Sequence, residues 1–146
     1  MTTAAVAPRS GRVASRKLLW AGPLAGVAAA AGNLAIFGLA SAALSLPLVM
    51  PAMGPTPAAP LSIAQVVIAS FVPALAAAVL LALLARLTAR PVRIFQIIAG
   101  VGLVLSLGAP FSLPVELSTR LVLLSMHVVA GVVITAVLSV FAGQKE

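Results

Sequence analysis

The chain has no cysteine, no aspartate and no tyrosine, and it has only one tryptophan, one histidine and two acidic residues, Glu116 and Glu146. Without cysteine there is no disulfide framework, no thiolate metal site and no sulfur nucleophile. Without aspartate there is no Ser-His-Asp arrangement, and one histidine with one acidic residue near it makes an incomplete acid-base set. A multi-histidine metal centre and an aromatic cage are both beyond one copy of the chain. The sequence therefore predicts no metal and no cofactor.

Charge is scarce as well. Charged residues make up 8% of the 146 positions and hydrophobic ones 62%, whereas a soluble domain carries roughly a quarter charged residues to wet its surface. Lipid must cover much of the molecule. The formal charge of +7 does not point to nucleic acid, because the basic residues sit in short flanks between apolar runs, without interleaved aromatics. Arg9, Arg12, Arg16 and Lys17 before an apolar run resemble the start of a signal peptide, and Ala28 to Ala31 offers a small-residue cleavage site. That run, however, reaches about 40 Å as a helix, longer than the ~30 Å hydrocarbon core, and is read as a retained span.

Long Ala- and Leu-rich runs with no alternation exclude a β-barrel and leave helices to satisfy the backbone in lipid. The expected fold is an all-α, integral membrane four-helix bundle with both termini cytoplasmic. A basic tail (1–17) leads into a transmembrane domain (18–142) with spans at 18–46, 61–85, 92–110 and 119–142, followed by a short tail (143–146). Pro47, Pro51, Pro55, Pro57 and Pro60 force an extended first connection, Pro60 is placed in the first turn of the second helix, and Pro91 separates the second span from the third. Arg9, Arg12, Arg16, Lys17, Arg86, Arg90, Arg93 and Lys145 fall on one side, so the positive-inside rule makes that side the cytoplasm. The expected location is a bacterial plasma membrane.

Gly22, Gly26, Ala30, Gly38 and Ala42 form an approximate four-residue stripe suited to close helix packing. Pro73 interrupts the second span and predicts a bend through which the helix continues. Asn33, Gln65 and His127 fall at compatible depths and, with Arg120, form a candidate polar cluster. The bland reading is interhelical glue, and the sharper one is a ligand or proton site. Arg120, two turns before His127, is either the partner of Glu116 or the floor of an outer cavity. Arg86, Arg90 and Arg93 read as headgroup contacts, since no glycine-rich nest accompanies them.

Arg90-Pro91-Val92-Arg93-Ile94-Phe95, Leu105-Ser106-Leu107 with Pro110, Thr119-Arg120 and Met126-His127 resemble the recurring marks of an uncharacterised family of small actinobacterial four-helix integral membrane proteins. The resemblance runs from about Asn33 onward. It implies the four-span layout and a shared importance for Arg93, Arg120 and His127, and it implies no activity. From the residues, the leading expectation is a noncatalytic binding or accessory protein that recognises a lipid, a small hydrophobic ligand or a partner helix through the outer polar cluster. The alternative is a small dimeric transporter using the polar residues and the Pro73 bend. Expected partners are membrane lipids and a second copy or a larger membrane complex, with no nucleic acid.

Overall fold

The computed structural model describes residues 15–52 and 57–143. Four helices are long and apolar enough to cross a bilayer: Trp20–Ala43, Ile63–Leu87, Pro91–Ser112 and Leu117–Gly143. The chain is a multi-pass helical membrane protein whose spans pack as a four-helix bundle. Most of the basic tail and the last residues lie outside the described part of the chain, as do Arg9, Arg12 and Lys145.

Helix α1 (Ser15–Gly38) runs into a π-helical turn, Leu39–Ala43. The turn closes with Leu44 N–H donating to the Leu39 carbonyl and Leu46 N–H to the Ala40 carbonyl, each at 3.0 Å. Ser45 then adopts φ 50°, a left-handed conformation that stops helices and is usually given to glycine. Pro23 lies inside α1 and removes one amide donor, as Pro73 does in α2 (Ile63–Leu87). Only the second of these interruptions was read as a bend from the sequence. Helix α2 runs on unbroken through Pro73.

The first connection is more ordered than an extended strap. Strands β1 (Val49–Met50) and β2 (Ala59–Pro60) pair antiparallel, Val49 opposite Pro60 and Met50 opposite Ala59. Leu61 N–H closes this hairpin on the Leu48 carbonyl at 2.7 Å. Pro60 therefore belongs to an edge strand, where its missing N–H is tolerated, and not to the helix. Ser62 caps α2 instead, accepting from Gln65 N–H at 3.2 Å while its own N–H donates to Gln65 Oε1 at 2.8 Å. This reciprocal box is the signature that Ser-x-x-Gln writes before an apolar run.

Helix α3 (Pro91–Ser106) begins with Pro91 in its first turn, the one place in a helix where proline costs nothing. Sixteen residues give about 24 Å, short of the ~30 Å core. A further turn, α4 (Gly108–Ser112), continues the span. Helix α5 (Leu117–Gly143) returns across the bilayer.

Helix α1 packs most extensively against α2 and α5, while α3 is held more loosely. Ala21, Ala25 and Ala29 are fully buried, and Gly22, Gly26 and Ala30 are buried beside them. Together they present two adjacent small-residue rows to α2 and α5. A Cβ on Gly22 would lie 2.9 Å from the Ala78 Cβ, and one on Gly26 2.8 Å from the Phe71 ring. Backbones this close gain dispersion energy, the main attraction between helices when both alternatives are apolar. The C-terminal part of the predicted stripe does not share this role. Ala42 is exposed and a Cβ on Gly38 would meet nothing within 4 Å. The wide π turn shifts the register just there, carrying Ala42 off the packed face.

The contrast sets a test by unfolding in mixed micelles. Gly22→Val should cost about 1–3 kcal/mol by overpacking, whereas Gly38→Ala should be neutral or stabilise by up to ~1 kcal/mol. Equal losses in the two variants would refute the packing described here.

Candidate functional site

Small residues bring α1 and α2 together, but on the far side of α2 they leave space. Ala69, Pro73 and Ala77 of α2 face Ala99 and Gly102 of α3 and Ala130 and Gly131 of α5 across a cavity of about 780 Å³. Bulky side chains prop its walls apart. Phe95, almost fully buried, lines it together with Leu80 and Ile134 toward the α2–α3 link, and Leu103 packs onto Gly131 from α3. The hairpin adds Met50, Pro51, Pro57 and Ala59 at the opposite end. From Gln65 to Leu80 the cavity follows α2 for about 22 Å, most of the depth of a bilayer. Its volume lies within the roughly 300–1,000 Å³ range of small-molecule sites.

Three of the four residues nominated from the sequence as a polar cluster line this cavity: Asn33, Gln65 and His127. They do not hydrogen-bond to one another. Asn33 is 5% exposed, and its Nδ2 donates to Ser70 Oγ at 3.0 Å. Ser70, fully buried, donates in turn to the Val66 carbonyl one turn back at 2.8 Å. Asn33 Oδ1 is buried with no hydrogen-bond partner. Ser70 was not singled out from the sequence, because a mid-helix serine most often back-bonds to its own helix. It does so here, and its lone pairs remain free for Asn33.

His127 is half-buried on α5, with Nδ1 2.8 Å from the Leu123 carbonyl oxygen. A carbonyl can only accept, so Nδ1 carries the proton. The polar contact therefore comes from its own helix and not from Asn33. Gln65 is exposed at the cavity rim and doubles as the cap of α2, its Oε1 receiving both the N–H and the hydroxyl of Ser62 at 2.8 and 3.0 Å.

Arg120 stands apart. It does not line the cavity, although two helical turns put its Cα near the His127 face. Its long side chain turns back to the α4–α5 link, where Nη2 donates to the Leu113 carbonyl at 3.1 Å and Nε is buried without a partner. Glu116 is exposed. Arg120 thus fastens the α4–α5 link and is neither a floor of the cavity nor an ion-pair partner held by Glu116. Thr119 beside it is buried and donates to the Pro47 carbonyl at 3.5 Å, a long contact toward the first connection. Arg86, Arg90 and Arg93 are exposed around the α2–α3 link, and Arg86 in the last turn of α2 complements the helix dipole.

Among the described residues, no three histidine, cysteine, aspartate or glutamate side chains come together as a metal site. What the wall offers is a long apolar surface carrying a sparse set of hydrogen-bonding groups.

A double-mutant cycle of Asn33→Ala and Ser70→Ala should give a coupling of about 0.6–2 kcal/mol in detergent unfolding. Strict additivity would show that the α1–α2 polar contact contributes nothing. No curated protein and no solved structure matches the chain. A family model described as a family of unknown function, DUF6069, matches residues 13–144. With nearly the whole length matched, four spans included, the chain belongs to that family.

Proposed function

We propose that this protein is a noncatalytic binding protein of a bacterial plasma membrane, holding a lipid or small hydrophobic molecule in the cavity between α2, α3 and α5. The observation that carries the reading is the form of the cavity. It is deep and apolar, and its polar groups are confined to a few positions on the wall, the arrangement of sites that bind amphiphiles. The loosely packed α3 supports it, since a wall with few contacts can yield to admit an acyl or isoprenoid chain from the bilayer.

In this reading both termini are cytoplasmic and the hairpin lies outside, supported by Arg16, Lys17, Arg86, Arg90 and Arg93 at one end of the spans and by Pro47 to Pro60, without charge, at the other. A transport role draws on one feature of the site: Pro73, at which α2 lacks a backbone hydrogen bond, lines the cavity. Flux of the bound lipid between leaflets of reconstituted vesicles, lost on Pro73→Ala while binding persists, would select that second reading.

Two outcomes are expected. The double variant Ala69→Phe with Gly102→Phe narrows the cavity from two walls, and a Cβ on Gly102 meets nothing within 4 Å. It should fold normally yet lose most co-purifying lipid in native mass spectrometry. Unchanged lipid content would remove the cavity as the binding site. In the cysteine-free chain, Thr56→Cys should react with an impermeant thiol reagent only from outside and Ala89→Cys only from the cytoplasm, and the opposite pattern would invert the topology.

A further inference from the structure

The hydrogen-bonding polarity of the cavity wall restricts what the site can hold, and this inference rests on the binding reading above. Among the described residues no arginine, lysine or glutamate lines the cavity. A phosphate or carboxylate head drawn inside would lose its hydration and meet no counter-charge. The occupant is therefore uncharged where it contacts the wall.

The neutral groups then fix which partner is missing. Ser70 gives its hydroxyl proton to the Val66 carbonyl, so toward Asn33 it can only accept. This settles the orientation of the Asn33 amide: Nδ2 faces Ser70, and Oδ1 is left as a buried acceptor without a donor. On α5 the Nδ1–H of His127 is held by the Leu123 carbonyl. With one ring proton placed on Nδ1, the second ring nitrogen, Nε2, carries a lone pair, and it has no hydrogen bond from the described residues. At the rim the polarity reverses, because Gln65 Oε1 is occupied by Ser62 and only the Nε2 amide is free to donate. Asn33 Oδ1 lies beneath the wall surface, so the acceptor an occupant can reach in the interior is Nε2 of His127, and the mouth presents a donor.

We infer that the site selects an uncharged lipid whose head bears a free hydroxyl, and that this hydroxyl donates to Nε2 of His127 with the hydrocarbon tail lying toward Phe95 and Leu80. An isoprenoid alcohol, a diacylglycerol and a reduced isoprenoid quinol share this chemistry. An oxidised quinone, a methyl ether and a triacylglycerol do not, since they bring only acceptors to a wall already short of donors.

The test is competition for the full-length protein in detergent micelles, read by native mass spectrometry. The pairs are geranylgeraniol against its methyl ether, dioleoylglycerol against trioleoylglycerol, and an isoprenoid quinol against its quinone, with phosphatidic acid as the anionic competitor. In each pair that binds, the hydroxyl-bearing member should be favoured by about three- to tenfold, the ratio one hydrogen bond carries, and the pair with the highest occupancy identifies the source. His127→Phe, with His127→Met as a second replacement should the first fold poorly, should bring the preference to near unity while total lipid occupancy persists. Equal retention of alcohol and ether by the unaltered protein, or displacement of both by phosphatidic acid, would overturn the hydroxyl selection and leave the cavity as a lipid site. Preference that survives both His127 replacements would overturn the role of His127. If the unaltered protein retains none of these lipids, the binding reading falls and this inference with it.

Discussion

Inside a bilayer no water completes the hydrogen bond of a peptide group, and the architecture of this protein follows from how it meets that constraint at each interruption of a helix. Every span closes its own backbone ladder, and the places where it does not are handled locally. The π turn at Leu39–Ala43 reuses carbonyls with longer loops before Ser45 ends the helix. The Ser62–Gln65 box satisfies the first amides of α2, and Pro91 has no amide to satisfy at the start of α3. Pro73 is different in kind. It lies well inside α2, beside the cavity, and takes one amide donor out of the helix ladder there.

Small residues have opposite consequences on the two sides of α2, and this decides where the site lies. Against α1, Ala74 and Ala78 meet Gly22 and the Phe71 ring lies on Gly26, so each glycine lets α2 approach closely. Against α3, the equally small Ala69 and Ala77 meet Ala99 and Gly102, but Phe95 and Leu103 hold the helices apart and the surface becomes cavity. Packing density in one interface and volume in the other are thus set by a few bulky neighbours, not by the small residues themselves.

This explains what the sequence could and could not reveal. The four spans were legible because span length and hydropathy are local properties, and the break points at Pro47 and Pro91 were legible because proline acts on its own backbone. Of the stripe, Gly22, Gly26 and Ala30 are buried, Gly38 meets no neighbour, and Ala42 lies exposed in a π turn that has no strong residue signature. The row Ala21, Ala25 and Ala29 lay one position away and looked no different from its neighbours without knowledge of helix rotation. Asn33, Gln65 and His127 line one cavity, but the hydrogen-bond partners of each are not the ones their spacing suggests. Ser70, Leu123 and Ser62 are local or common contacts whose direction only side-chain geometry reveals. Arg120 shows the reverse failure: its Cα position followed the helical period, and a flexible side chain carried its charge elsewhere.

Among the described residues three buried side-chain polar atoms lack partners, and they are not equivalent. Arg120 Nε and Thr88 Oγ1 are buried near helix ends, beside links between spans. Asn33 Oδ1 lies about 15 Å along the helix from the end of the π turn, well inside the span. An acceptor left there without a donor costs roughly 1–3 kcal/mol, more than the typical gain of ~0.6 kcal/mol from an interhelical polar contact such as Asn33 to Ser70. As interhelical glue alone, asparagine at this position is therefore a net loss, and an apolar residue of similar size would hold α1 to α2 as well. The acceptor that an occupant of the cavity can reach is instead on His127, whose Nδ1–H is already held by the Leu123 carbonyl and whose ring lines the wall.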